Sequence, residues 1–211
     1  MSTFKTEQEQ FWVGDFGNDY VDRNQGRHLL ACKISLFARV LAHTDSIKSV
    51  IEFGSNIGLN LKALSMLLCD VKNSAIEINQ KAANQLQASG DDITIYNQSI
   101  LDFKPDYSRD LVLASGILIH LDPENLPRVY ELMFQSSHRY ICIAEYYNPT
   151  PVEVPYRGHQ NKMFKRDFAG EMLDKFQDLR LLDYGFVYHR DTQFPQDDVN
   201  WFLLEKISRK L

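Results

Sequence analysis

With 211 residues, 44% of them hydrophobic, the chain is long enough for one globular domain with a sizeable core. Lys and Arg number 23 and Asp and Glu 28, a formal net charge of −5, which argues against a general nucleic-acid binder, since that affinity rests on basic side chains neutralising phosphates. Cys32, Cys69 and Cys142 are far apart in apolar surroundings, with no CxxC, so buried thiols are expected instead of a disulfide framework.

The first fifty residues read as helical. TEQEQFW (6–12) is a short polar start, and 27–43 carries Leu30, Ile34, Phe37 and Leu41 at helical spacing. Short apolar runs then alternate with helices. SVIEFG (49–54) reads as a strand, 59–69 as a helix, NSAIEIN (73–79) as a second strand and QKAANQLQ (80–87) as a helix. DITIYNQ (92–98) and DLVLASG (110–116) are the third and fourth strands. Pro123 opens a further helix, and YICIAEYY (140–147) is the fifth strand. A long loop (148–164) leads to a helix at KRDFAGEMLDKF (165–176). LRLLDYGFVYHRD (179–191) and VNWFLLEKI (199–207) then follow, too close for a helical crossover and so expected as an antiparallel hairpin. Strands separated by helices predict a parallel sheet covered on both faces. The expected fold is α/β and Rossmann-like: seven strands, mostly parallel, with a C-terminal antiparallel hairpin strand. It is a single domain over 1–211, with a helical cap at 1–45 and the core at 46–211. There is no positively charged leader and no apolar stretch near the ~18 residues of a membrane span. A soluble, cytoplasmic protein without membrane insertion is the expectation; oligomeric state is not legible.

The chemistry concentrates at VIEFGSNIGLN (50–60). Gly54 follows a strand and Gly58 opens a helix, the context of a nucleotide-binding turn at the carboxyl end of a parallel sheet. A branched side chain at Gly54 is expected to occupy the ligand's space. Asn56 stands where such turns usually carry a third glycine, and Asn tolerates the left-handed region. Ser55 belongs to the same turn. Glu77, at the end of the second strand with Ile78 beside it, is placed to accept both ribose hydroxyls of an adenosine cofactor; a solvated strand-end carboxylate is the plainer alternative. Glu52 lies inside the first strand, where a buried carboxylate requires a partner. His120, just past the fourth strand, and Glu145, at the end of the fifth, are the candidate catalytic groups, with a structural hydrogen-bonder as the alternative for His120 and an ordinary strand-end carboxylate as the alternative for Glu145. Ser115, also at the fourth strand's end, is a further candidate cofactor contact. Trp12, Tyr20 and Asn24 fold over the cofactor as a lid or else only pack. Asp191, Asp197 and Asp198 lack the spacing of a metal site, and no metal is expected.

The sequence resembles class I S-adenosylmethionine-dependent methyltransferases over about 48–207. More narrowly, it is similar to the pseudaminic-acid-biosynthesis-associated methylases. The blocks that carry the likeness are FWVGDFGNDYVDRN (11–24), FGSNIGLNLKAL (53–64), AEYYNPTPVEVPYRGH (144–159), KRDF (165–168) and QDDVNWFLLEK (196–206). The resemblance implies S-adenosylmethionine as cofactor and a nonulosonic acid, or its nucleotide-activated form, as acceptor. It implies that Glu52 organises the turn and the amino-acid end of the cofactor. Ser99 stands where an Asp commonly meets the adenine amino group, so its hydroxyl or the backbone amide of Ile100 would have to serve. Tyr147, Arg157, His159, Lys165 and Arg166, around a proline-marked loop, suit an anionic small-molecule acceptor, with Arg157 able to bind in a bidentate way. Lys165 and Arg166 at a helix N-terminus oppose its dipole, which suggests a purpose beyond helix formation. Two other readings stay open. One is a cofactor-binding regulatory or scaffold subunit without activity; the other is a nucleotide-dependent oxidoreductase, although that would normally carry GxGxxG.

Overall fold

A computed structural model describes residues 4–207. Five parallel strands form its centre: β1 (Ser49–Phe53), β2 (Lys72–Ile76), β3 (Ile93–Tyr96), β4 (Arg109–Ser115) and β5 (Ser137–Glu145). Helices α4 (Leu59–Leu67), α5 (Gln80–Ala88) and α6 (Leu126–Ser136) connect β1 to β2, β2 to β3 and β4 to β5, while β3 reaches β4 through a single 3-10 turn (Ile100–Asp102). A two-residue pair, β6 (Val152–Glu153) and β7 (Phe164–Lys165), lies within the segment after β5. Helix α7 (Phe168–Lys175) then leads to β8 (Leu179–Val187) and β9 (Val199–Lys206), which pair antiparallel. The seven-stranded sheet has the order β3-β2-β1-β4-β5-β9-β8, and β9 runs against both its neighbours.

Both faces of the sheet are covered, which is why its strands read as nearly continuous apolar runs. Ile51, Phe53, Val112, Ile141 and Ile143 pack towards α6 and α7. Val50, Leu111, Leu113, Cys142 and Leu203 face the other way, against Leu36, Phe37 and Val40 of α3 (Arg27–Leu41) and Leu61 and Leu64 of α4. The cap preceding β1 contains two shorter helices besides α3: α1 (Glu7–Val13) and α2 (Asp15–Arg23). Thr6 caps α1, its side chain accepting from the Glu9 N–H at 3.1 Å.

Three expectations need correction. Cys69 is exposed, because it follows the end of α4 in the turn leading to β2, whereas Cys32 and Cys142 are buried thiols. The segment 148–166 is not a plain loop, since it carries β6 and β7 and a tight turn between Tyr156 and His159. Helix α7 begins at Phe168, with the Asp167 side chain accepting from the Gly170 N–H at 2.8 Å. Lys165 and Arg166 therefore precede the helix and raise no conflict with its dipole.

Candidate active site

The turn after β1 brings the chain back under the end of β2. The N–H groups of Gly54 and Ser55 both donate to the Ile76 carbonyl, at 2.9 and 3.1 Å. Three residues take left-handed backbone: Gly54 (φ 72°), Asn56 (φ 48°) and Gly58 (φ 77°). Asn is one of the few side chains able to do so at modest cost, so Asn56 holds the turn where a glycine would be usual. Its N–H donates to Glu77 at 2.7 Å. A Cβ on Gly54 would lie 2.5 Å from Cγ1 and 2.7 Å from Cδ1 of Ile117, so the first obstacle to a side chain there is protein. Gly58 lies behind the turn at the start of α4 and does not line the cleft.

Glu77 is buried where β2 ends, and it lines the cleft with Ile78. Its second oxygen accepts from the Asn79 N–H at 2.7 Å. Burial raises its pKa, while the N–H groups of Asn79, Asn56 and Ile78 pull it back. With about four lone-pair directions, a carboxylate that takes full hydrogen bonds from the Asn56 and Asn79 N–H groups and a weaker pull from that of Ile78 still has acceptor capacity for a ligand's hydroxyl. The solvated strand-end reading is thereby excluded.

Two further carboxylates lie beneath the cleft wall and support it. Glu52 is completely buried, with Oε1 accepting from the Asn60 side-chain amide at 2.6 Å and Oε2 without a partner among the described residues. Burial pushes its pKa up to about 8. The Oε1 of Glu145 takes the N–H groups of Ile117 and Leu118, each at 2.9 Å, and so fixes the segment after β4. Its pKa is pushed up to about 7, again by burial. Neither residue lines the cleft, and each keeps one buried carboxylate oxygen without a partner among the described residues. Between them lies the residue missed in the sequence. Lys33 lines the cleft from α3, makes no hydrogen bond or ion pair among the described residues, and has its pKa lowered by burial against the pull of Glu52, Asp197 and Glu145. The signal was present, because Lys33 falls on the same helical stripe as Leu30, Ile34 and Phe37.

The cap closes the other side. Trp12, Tyr20 and Asn24 all line the cleft, as do Ser55, Ser99, Ile100 and Ser115. The buried Trp12 Nε1 has no partner among the described residues. Its ring stands 4.7 Å from that of His120 and 5.2 Å from that of Tyr20. His120 is buried, and its Nδ1 lies 2.7 Å from the Lys162 carbonyl. A carbonyl only accepts, so Nδ1 carries the proton and Nε2 keeps a lone pair. Burial pushes the His120 pKa down to about 4, leaving a neutral ring through the ordinary pH range.

None of the five expected acceptor-binding residues lines this cleft. Tyr147 is exposed against Phe202, and Arg166 is ion-paired with Glu171 at 2.5 Å. Lys165 sits 5.1 Å over the Tyr146 ring. His159 packs on Phe11 and Phe16 of the cap, with ring centroids 5.0 and 5.5 Å away. Arg157 is exposed at the tip of the turn, its guanidinium 6.0 Å from the Tyr156 ring, and its charge still reaches the Tyr20 hydroxyl. Asp191 and Asp198 accept hydrogen bonds from the local backbone, and Asp198 also meets His189. Among the described residues no group of three or more His, Cys, Asp or Glu could hold a metal, and no helix is long and apolar enough to cross a membrane.

No family model matches the chain, and no curated protein matches it. Solved structures do. The 1,6-didemethyltoxoflavin-N1-methyltransferase of Burkholderia thailandensis, bound to its 1,6-didemethyltoxoflavin and S-adenosylhomocysteine, superposes with a TM-score of 0.72 at 14% identity, over 99% of this chain and 93% of that one. The magnesium protoporphyrin IX methyltransferase of Synechocystis, bound to S-adenosylmethionine, gives 0.68 at 13% identity, over 98% and 100%. A Leishmania major S-adenosylmethionine-dependent methyltransferase gives 0.71 at 14% identity, over 94% and 81%. The chain thus has the Rossmann-like fold of the class I S-adenosylmethionine-dependent methyltransferases.

Proposed function

We propose that this protein is an S-adenosylmethionine-dependent methyltransferase whose acceptor is a small anionic sugar, pseudaminic acid or a related nonulosonic acid or its nucleotide-activated form. The observation that carries the cofactor reading is that one cleft collects three complementary groups. Glu77 offers acceptors to a ribose diol, apolar Ile78, Ile100 and Leu101 offer faces to a purine, and the unpaired Lys33 offers an ammonium to an amino-acid carboxylate. The unpartnered Trp12 Nε1 on the cap side is a buried donor consistent with a polar ligand. The donors and acceptors present therefore fit S-adenosylmethionine, with Glu77, the turn 54–56 and Lys33 as the residues that would hold it.

When bound, that cofactor supplies an electrophilic methyl group on a sulfonium. The chain's contribution is position and proton handling. His120 Nε2 accepts a hydrogen bond from an acceptor hydroxyl and orients its oxygen. With so low a pKa the ring is a weak base, so it takes the proton only as the oxygen loses electron density to the forming bond. Glu145 holds the 117–118 backbone, and with it the approach to His120. Trp12 and Tyr156, with ring centroids 4.7 Å from the imidazole, keep bulk water from it. The sugar assignment rests on the resemblance.

The test is transfer of labelled methyl from S-adenosylmethionine to a panel of free and cytidine-activated nonulosonic acids, with neutral hexoses as controls. Labelled product only with the acidic sugars is the expected result. Binding of S-adenosylhomocysteine without transfer to any of them would overturn the acceptor assignment, and binding of NADH in its place would overturn the cofactor.

A further inference from the structure

Resting on that cofactor reading, we propose that Glu9 of the cap helix reads the amino edge of the adenine, so that purine recognition is supplied from outside the sheet. The hydroxyl of Ser99 is already committed: it donates to Glu9 Oε1 and accepts from the Leu101 N–H at 2.9 Å. With its single proton engaged, Ser99 positions another group. That group is a carboxylate only 8% exposed, lining the cleft beside Ser99, Ile100 and Leu101. Oε2 of Glu9 accepts from the Lys5 N–H at 2.6 Å, and no cation neutralises it among the described residues. A carboxylate has about four lone-pair directions, so two internal bonds leave acceptor capacity. At the same corner, the Ile100 N–H donates to nothing among the described residues.

One donor beside one acceptor matches one purine edge. Adenine presents an acceptor at N1 and a donor at its 6-amino group; hypoxanthine presents the opposite pair, a donor at N1 and an acceptor at O6. A structural role for Glu9 also exists, since its Oε2 accepts from the Lys5 N–H, one residue before the Thr6 N-cap, and so ties down the start of α1. That role needs one oxygen and does not account for burial of the other against Ser99. A Gln side-chain oxygen accepts from the Lys5 N–H as a Glu oxygen does, so Glu9→Gln separates the two.

The experiment is calorimetric binding of S-adenosylhomocysteine and S-inosylhomocysteine to the full chain, to Glu9→Gln, and to Glu7→Gln as the neighbouring surface control. The parent should prefer the adenine ligand by roughly a hundredfold, the discrimination of a site whose buried polar groups would otherwise be mispaired. In Glu9→Gln the preference should fall below about fivefold, because the amide can turn its NH2 towards O6. Glu7→Gln should keep the parent's ratio. Equal affinity of the parent for both ligands, or an undiminished ratio in Glu9→Gln, would overturn this assignment while leaving the cofactor reading intact. Failure of the parent to bind S-adenosylhomocysteine at all would overturn both.

Discussion

Gly54→Ala separates two costs that the turn after β1 combines. The residue has φ 72°, which costs a non-glycine residue about 1–2 kcal/mol. Its new Cβ would lie 2.5 Å from Cγ1, 2.7 Å from Cδ1 and 3.0 Å from Cβ of Ile117. The Cδ1 can swing aside, but the other two atoms are close to a backbone fixed by Glu145, whose Oε1 holds the Ile117 N–H at 2.9 Å. Such overpacking typically costs about 1–3 kcal/mol. Together the expected loss is about 2–5 kcal/mol, measured as a fall in the urea midpoint at constant m-value. The same substitution in an Ile117→Ala background should recover the steric part and leave the backbone part, about 1–2 kcal/mol. A Gly54→Ala protein that unfolds with the parent would refute the conformational argument. An equal cost in both backgrounds would refute the contact with Ile117.

Glu77→Ala should weaken S-adenosylhomocysteine binding by about 1–3 kcal/mol in calorimetry. It should also lower the ligand-free melting temperature, because the Asn56 and Asn79 N–H groups lose their acceptor. His120 has a folded pKa of about 4, below its usual 6.5, so the folded state binds fewer protons than the unfolded chain between those values. Its stabilising contribution is complete above about pH 6.5 and is lost as pH falls towards 4. Glu145 acts oppositely, stabilising below its usual 4.5 and losing that contribution as pH rises through about 7. Stability–pH curves of the parent and His120→Gln should therefore diverge below pH 6.5, and parallel curves there would contradict the burial argument. Arg109 is fully buried, bonded to Asp106 (2.5 Å), the Tyr107 carbonyl (2.7 Å), the Ser74 hydroxyl (3.2 Å) and the Tyr96 hydroxyl (2.8 Å). Arg109→Met should cost about 3 kcal/mol by chemical denaturation, the low end for breaking a buried pair, because Asp106 is half exposed.

What could be read in advance followed from periodicity and from glycine. The runs LVLA and ICIA, and VIEF apart from Glu52, are apolar on both faces, which only a sheet covered on both sides requires, and the last two strands lie too close for anything but antiparallel pairing. Gly54, Asn56 and Gly58 announced left-handed backbone, and all three have it. The aromatic and polar cap residues Trp12, Tyr20 and Asn24 do line the cleft. Other features turned on contacts between distant segments. Glu145 reads as a strand-end acid, and only the return of 117–118 to its oxygen makes it structural. The basic residues of 157–166 form a group in sequence, yet the pairing of β6 with β7 sends Arg166 to Glu171 and His159 to the cap. Lys33 was hidden for the opposite reason. A lysine on an apolar stripe ordinarily extends its ammonium past the stripe into solvent, and the burial of Lys33 depends on the segments folded against α3.

The way α1 is fastened has a kinetic consequence. On one side Lys5 meets the Leu101 carbonyl and Asp102; on the other Glu7 meets Lys162 at 2.5 Å, and Gln8 donates to the Asn161 carbonyl at 3.1 Å. Three of the four ion-pairing side chains are about half exposed. Exposed ion pairs weaken as salt is raised above the physiological range, where the screening length is already about 8 Å, so these fastenings loosen in salt. If a ligand under α1 departs by opening of this clasp, the contacts matter for its release. Its residence time should therefore shorten as sodium chloride is raised, and the turnover of an enzyme limited by product departure would quicken with it.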